Sequence, residues 1–408
     1  MTAERDGATD GARPLDGVQV LELGHIVAGP FCTLVLSDLG ADVTKVEHPK
    51  GGDSVRGGSE SGRSVFTVMN RDKRSVTLDI GDEDGRAAFE RLVEDADVLV
   101  ENFREGALER LGAAPADLRE QNPHLVVCSI KGFGDGPYRG RPALDPVAEA
   151  MSGLMSVTGR SGMPPVRAGT SVADMAASLF GVISVLGGLR DRQRTGTGQH
   201  IRVPLFESTV TLMGYWLTMT DAFGEVPGPQ GASHPNWAPY DVYETADEKW
   251  VFVGPSSEEH WRALCKCLDA PELAADAKFE TVVDRRAHSD ELDARLSDHV
   301  REIQRDDLLE ALHEAGVPAA PVNDTESVLD DEHLTQTEFF SKVQWPEDDD
   351  AGDVGKSVRV PRLPFDSTAF GHQSAENPPA LGEDTVAVLE GVGYSEAEIE
   401  ALARRNII

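Results

Sequence analysis

The chain has 408 residues, with 71 acidic side chains against 38 basic ones and a formal net charge of −33. Forty per cent hydrophobic and 27% charged is a globular composition, which excludes wholesale disorder and fibrous repeats. So acidic a surface also argues against partners that need a basic one, so neither nucleic acid nor an anionic membrane is expected.

The first 17 residues, MTAERDGATDGARPLDG, are polar, with no basic segment ahead of an apolar one, so no signal peptide is expected. Residues 18–23 (VQVLEL) then read as a strand, 30–40 (PFCTLVLSDLG) as a helix closed by glycine and 42–48 (DVTKVEH) as the next strand. Strands at 75–80, 97–102 and 124–133 and an amphipathic helix at 82–96 repeat the unit. Such alternation is the signature of parallel α/β construction. The predicted class is α/β: a Rossmann-like, doubly wound parallel sheet in a large domain, with a smaller inserted α+β domain. Residues 171–194 read as a long helix, with Ala173, Ala176, Ala177, Phe180 and Val185 recurring at helical spacing before the turn TGTG (195–198).

The large domain is expected over 14–222. A Gly- and Pro-rich linker (FGEVPGPQGASHPNWAP) and the small domain follow over 223–330, and the chain returns to the large domain over 331–408. The acidic run EDDDAGD (347–353) reads as a solvated loop. No uninterrupted apolar run reaches ~18 residues, so no membrane span is expected and the location is taken to be the cytoplasm. Four cysteines are too few for a disulfide framework; Cys265 and Cys267 read as buried thiols, and no metal site is expected. With only nine lysines beside 29 arginines, the acid excess reads as the surface of a salt-adapted protein, because at about 1 M salt a Debye length of ~3 Å screens carboxylate repulsion. An acidic protein from an ordinary cytoplasm is the alternative.

A dinucleotide enzyme would show G-x-G-x-x-G after the first strand; GHIVAGP (24–30) has the wrong spacing. G-x-S-x-G, H-E-x-x-H and Walker A patterns are also missing. The segment GGDSVRGG (51–58) reads either as a mobile loop over a site or as a solvated connection. Arg71, Lys73, Arg74, Arg104, Arg110 and Lys131 cluster in the first 131 residues, several of them at or just past the carboxyl ends of predicted strands. Ligands bind there in open α/β sheets, so a polyanionic ligand is indicated, with surface ion pairs as the alternative.

Several longer stretches then carry a resemblance from residue 14 onward. They are PLDGVQVLEL and AGPFCTLVLSDLGADVTKVEHPKGGD (within 14–53), NRDKRSVTLDI (70–80), ADVLVENFREGALERLG (96–112), NPHLVVCSIKGFG (122–134), DPVAEAMSGLMSVTG (145–159) and TGTGQHIRVPLFES (195–208). The chain resembles family III CoA-transferases, the family of formyl-CoA and carnitine CoA-transferases. The resemblance implies an interlocked homodimer, acyl-CoA and carboxylic acid substrates, and no tightly bound cofactor, coenzyme A entering as part of a substrate. It also implies that Asp174, in AGTSVADMAAS (168–178), attacks the acyl-CoA and comes to carry CoA as a thioester.

Read locally, Asp174 lies in the opening turns of the long helix, where the dipole favours a carboxylate and backbone N–H groups could hold an oxyanion; plain helix-end electrostatics is the alternative. Asp145 reads as an acid supporting the site or as the N-cap of the helix it opens. The resemblance places CoA near Val27, His48, Leu78, Asn102, Phe103 and Arg110, with Lys73 and Arg74 as candidates for its phosphates. His25, Arg71 and Arg167 are candidates for a substrate's distal carboxylate, with His25 a supporting residue. Formyl-CoA transferases have a glutamine at Val27, an arginine at His48 and a glycine-rich loop that GPQGASHPN (228–236) does not reproduce, so formyl transfer to oxalate is not expected. The related α-methylacyl-CoA racemases have a histidine where this chain has Leu144, and leucine cannot carry a proton.

The expected activity is therefore CoA transfer between small dicarboxylates, with succinyl-CoA as donor and mesaconate or a similar C4–C5 acid as acceptor. Intramolecular CoA migration within one diacid, α-methylacyl-CoA racemisation and a CoA-binding regulatory protein are the alternatives.

Overall fold

The computed structural model describes residues 12–345 and 356–408; the acidic run 347–353 lies outside the described residues. The chain divides into two compact units. One comprises the chain up to Leu154 with Arg167–Thr218 and His333–Ile408, the other Met155–Val166 with Met219–Glu332.

The larger unit is built on six parallel strands: β1 (Gln19–Leu23), β2 (Asp42–Glu47), β3 (Arg74–Thr77), β4 (Val98–Glu101), β5 (Val126–Lys131) and β6 (His200–Pro204). Their order is β3-β2-β1-β4-β5-β6. The central strands are apolar almost throughout because helices cover both faces of a parallel sheet. On one face, Val98, Val100, Val126 and Cys128 meet helices α1 (Ala28–Asp38) and, later in the chain, α5 (Val172–Thr195). On the other, Leu21, Val76, Leu99 and Val127 pack with Phe89 and Leu92, and with Leu389 and Leu402 from the returning C-terminal segment. Phe89 and Leu92 belong to helix α3 (Glu83–Glu94), which follows α2 (Glu60–Asn70). Helices α4 (Asp145–Ser152) and α6 (Leu205–Leu212) flank α5 on either side in sequence. An antiparallel pair, Phe340–Gln344 with Ser357–Pro361, belongs to the same unit.

The order of strands reverses beside β1, whose two neighbours β2 and β4 lead the chain in opposite directions across the sheet. Chains leaving the carboxyl ends of β1 and β4 diverge there, which opens the crevice where ligands sit in this class of sheet.

Helix α5 lies close on β5 and on α1 because glycines stand at the points of contact. A Cβ at Gly188 would stand 3.0 Å from Val126 Cγ1, and one at Gly181 would stand 3.1 Å from Cys32 Sγ. The helix ends at Gly196, whose φ of +76° is open to glycine at no steric cost. By length and composition α5 could cross a membrane, but half of its apolar stretch is buried inside this unit.

The smaller unit has a three-stranded antiparallel sheet (Asp241–Glu244, Trp250–Val253 and Ala319–Pro321) with helices Glu258–Cys267, Ser289–Val300 and Arg305–Glu314. Trp261, Leu264, Cys265, Leu296 and Leu312 fill its core. Cys265 is a buried thiol pushed up to about 12 by that burial, while Cys267 is half-buried.

Candidate active site

Strands β1 and β2 carry charges into the interior. The side chains of Glu22, Lys45, Asp53 and Lys73 have no exposure, and they meet. Lys45 Nζ lies 2.7 Å from Glu22 Oε1 and 3.0 Å from Asp53 Oδ2, and donates to the Gly24 carbonyl. Lys73 Nζ lies 2.8 Å from Glu22 Oε2 and donates to Pro30 O and Asn70 Oδ1. Buried charges persist only when paired and hydrogen-bonded in this way. Burial alone would raise the Glu22 carboxyl, yet the two ammonium groups hold it below its usual range. Burial, with Lys45 nearby, brings Lys73 down to about 8 against the pull of Glu22.

This charged floor fixes the loop that leaves β1. Asp53, at the head of the 51–58 segment, accepts the Ile26 N–H at 3.2 Å on each oxygen. Ile26 has a φ of +66°, a region that costs a β-branched residue about 1–3 kcal/mol and marks functional loops. Arg56 anchors the other half of the segment, pairing with Glu47 at 2.5 Å and donating to Pro379 O. The 51–58 segment is thus pinned to the floor of the crevice.

Across the crevice the ends of β1 and β4 are joined. The His25 N–H donates to Asn102 Oδ1 at 2.8 Å, Asn102 Nδ2 donates back to His25 O at 2.9 Å, and the His25 ring stacks on Phe103 with centroids 5.3 Å apart. His25 Nδ1 is 3.9 Å from Asp53 Oδ1, within ion-pair reach and beyond hydrogen-bond length. Lys131, at the end of β5, pairs with Glu101 at 2.7 Å and donates to Phe103 O, holding that backbone in place.

A second cluster forms where α5 begins. Asp145 Oδ1 accepts the N–H groups of Ala173 (2.8 Å) and Asp174 (3.2 Å). Asp145 therefore caps α5, whereas the N-cap of its own helix α4 is Leu144. Since Val172 N donates to Thr170 O and Met175 N to Ser171 O, the first-turn N–H groups of α5 already have acceptors. The expectation that they hold an oxyanion is corrected accordingly.

Asp174 sits half-buried in that first turn. Burial first, and the Asp145 charge second, push its carboxyl up to about 7 against the opposing pull of Arg167. The Arg167 guanidinium, half exposed, lies 3.7 Å from Asp145 Oδ2 and 4.0 Å from Glu149 Oε1. One turn after Asp174, Ser178 Oγ stands 2.6 Å from Ala28 O, which ties this cluster to the start of α1, directly after His25 and Val27.

Residues 15–385 match the sequence profile of CoA-transferase family III. The chain belongs to that family. It is 36% identical to a succinyl-CoA:mesaconate CoA-transferase of Haloarcula hispanica over 402 residues, covering 95% of this chain and 99% of that protein. It is 34% identical to a succinyl-CoA–D-citramalate CoA-transferase of Chloroflexus aurantiacus, covering 97% and 98%. The fold is that of a CaiB/BaiF family protein from Brucella suis, with a TM-score of 0.84, 34% identity and coverage of 93% and 100%.

For this CoA-transferase the residues expected near CoA fall into three groups. Asn102 and Phe103 line the crevice, and Arg110 is exposed at the end of the short helix Ala107–Arg110 that follows β4. His48 is exposed just past the end of β2, 3.6 Å from Asp79. Val27 and Leu78 are buried, the Leu78 side chain within the core beside Leu23 and Val46.

Lys73 and Arg74 do not fit a phosphate-binding role. The Lys73 ammonium is spent on Glu22 inside the protein, and Arg74 opens β3 at its amino end, the sheet edge opposite the crevice. Arg71 is likewise removed from the candidates for a distal carboxylate, because it is buried and paired with Asp38 and Asp72. The residues that sequence reasoning missed are Glu22, Lys45, Asp53 and Glu149; the GGD turn at 51–53 was the one visible signal among them.

Proposed function

We propose that this protein moves CoA from succinyl-CoA to a small dicarboxylic acid of the mesaconate kind, with Asp174 as the covalent carrier. The observation that carries the proposal is Asp174 itself, a half-buried carboxyl held at about 7 by burial and Asp145. Such a carboxylate is more basic, and so more nucleophilic, than an ordinary one while still ionising near neutral pH.

An Asp174 oxygen attacks the thioester carbonyl, the C–S bond breaks, and a mixed anhydride and CoA thiolate result. The thiolate then attacks the aspartyl carbonyl of the anhydride, expelling succinate and leaving CoA on Asp174. The acceptor carboxylate attacks this thioester, releasing the thiolate and forming a second anhydride. Attack of the thiolate on the acceptor's acyl carbon gives the new acyl-CoA and frees the Asp174 carboxylate. One thioester is exchanged for another, so no ATP is called for, and each step is easier than direct displacement. Anhydrides hydrolyse, so the bound substrates must exclude water.

The half-exposed Arg167 guanidinium supplies fork-shaped donors for the acceptor's distal carboxylate, with His25 facing the same end of the unit. Leu144, 65% exposed beside Asp145, gives racemisation no second proton carrier. Exposed apolar side chains support a homodimer: Leu179 and Ile183 on α5, then Leu212, Tyr215 and Leu217. The charge of −33 supports work in a salt-rich cytoplasm.

Isotopically labelled free acid offered with unlabelled succinyl-CoA tests the proposal. Label is expected in the product thioester, and Asp174→Asn is expected to lower turnover by on the order of 10³-fold or more while CoA still binds. Product thioester free of label would replace transfer between molecules with migration within one.

A further inference from the structure

Two buried carboxylate oxygens beside Asp174 have no hydrogen-bond partner, Asp145 Oδ2 and Glu149 Oε1. Their residues lie four apart on α4 and therefore share one helix face. Asp145 is 5% exposed and Glu149 wholly buried. The second oxygen of each is committed: Asp145 Oδ1 to the start of α5, and Glu149 Oε2 to the Ala168 N–H at 2.8 Å. Both orphaned oxygens face the same guanidinium, but at 3.7 and 4.0 Å Arg167 is too distant to hydrogen-bond either. Two ionised carboxylates at one buried point would repel, and each would leave an oxygen unsatisfied. A single proton between them removes both problems.

We infer that Glu149 is a positioning residue, holding one proton between its Oε1 and Asp145 Oδ2. The inference rests on the proposed role of Asp174. The hydrogen bond aims Asp145 Oδ1 at α5 and limits the pair to one negative charge, so that Asp174 ionises beside one anion instead of two. Charged groups facing Glu149 are Asp145 on its own helix and Arg167, and Asp174 on α5 faces Asp145. Helix α6, packed on α4, brings Glu207, whose Oε1 is taken by the Gly134 N–H. Burial first and Asp145 as well raise the Glu149 pKa, against the Ala168 N–H.

The test compares Glu149→Gln with Glu149→Ala in the full-length protein, together with Asp174→Asn. Glutamine can accept from Ala168 and donate to Asp145 but has no proton to lose. Losing a hydrogen bond to a charged group should cost Glu149→Ala about 10- to 150-fold in turnover, and Glu149→Gln should recover most of it. Wild-type turnover should fall as rising pH removes the shared proton, and Glu149→Gln should flatten that fall. In the Asp174→Asn background, where residue 174 contributes no carboxyl, infrared difference spectra at pH 7 should show a protonated-carboxyl band that Glu149→Gln removes. Equal losses in the two Glu149 variants, or a band unchanged in Glu149→Gln, would overturn the inference while leaving Asp174 untouched. Undiminished turnover in Asp174→Asn would instead remove the reading on which it rests.

Discussion

Asp174 ionises against its surroundings, and the property that carries its proposed attack on a thioester should also weaken the fold. In the unfolded chain an aspartate titrates near 3.9, in the folded protein this one titrates at about 7. Between those values the folded state holds a proton that the unfolded state has released, so stability falls as pH rises through the window and the full cost is present above it. Asp174→Asn escapes that cost and should be more stable than wild type by about 4 kcal/mol at pH 8, the gain shrinking toward zero near pH 4. Urea unfolding at the two pH values measures it; a variant no more stable at pH 8 would mean that Asp174 is not held against ionisation. Asp174 stood out as a candidate through its family-like stretch. Glu149 was not, because a single glutamate inside DPVAEAMSG looks like any helical surface acid until the fold buries it.

At the scale of elements, alternating strands and helices were legible because periodicity reports directly on which faces are covered. Side-chain destinations were not. Lys73 and Arg71 sit in a run of bases that resembles a phosphate site, but the fold sends Lys73 into Glu22 and Arg71 onto Asp38 and Asp72. Asp145 looked like a cap for the helix it opens; tertiary packing makes it the cap of α5 instead. The ion pairs linking β1, β2 and the 51–58 segment have a measurable consequence. Lys45→Ala leaves Glu22 and Asp53 buried with one compensating cation fewer and should destabilise the protein by about 3–5 kcal/mol in denaturant titration. A loss below about 1 kcal/mol would show that the network is not a buried one.

At the scale of the whole molecule, composition speaks to solvent and the strand order to the place of chemistry. A charge of −33 repels itself less where salt screens it, so assays should include about 1 M KCl, where the Debye length is ~3 Å. The reversal of strand order beside β1 brings His25, Asn102 and Phe103 together, and Ser178 ties the α5 start to the same end of the unit. All of this converges on one carboxyl group. Incubating the protein with succinyl-CoA in the absence of acceptor, followed by peptide mass mapping, tests it directly. The expected result is the mass of CoA added to the peptide containing Asp174, absent in Asp174→Asn and removed by hydroxylamine. Full turnover with no adduct on that peptide, or an adduct on a different carboxyl, would contradict the account.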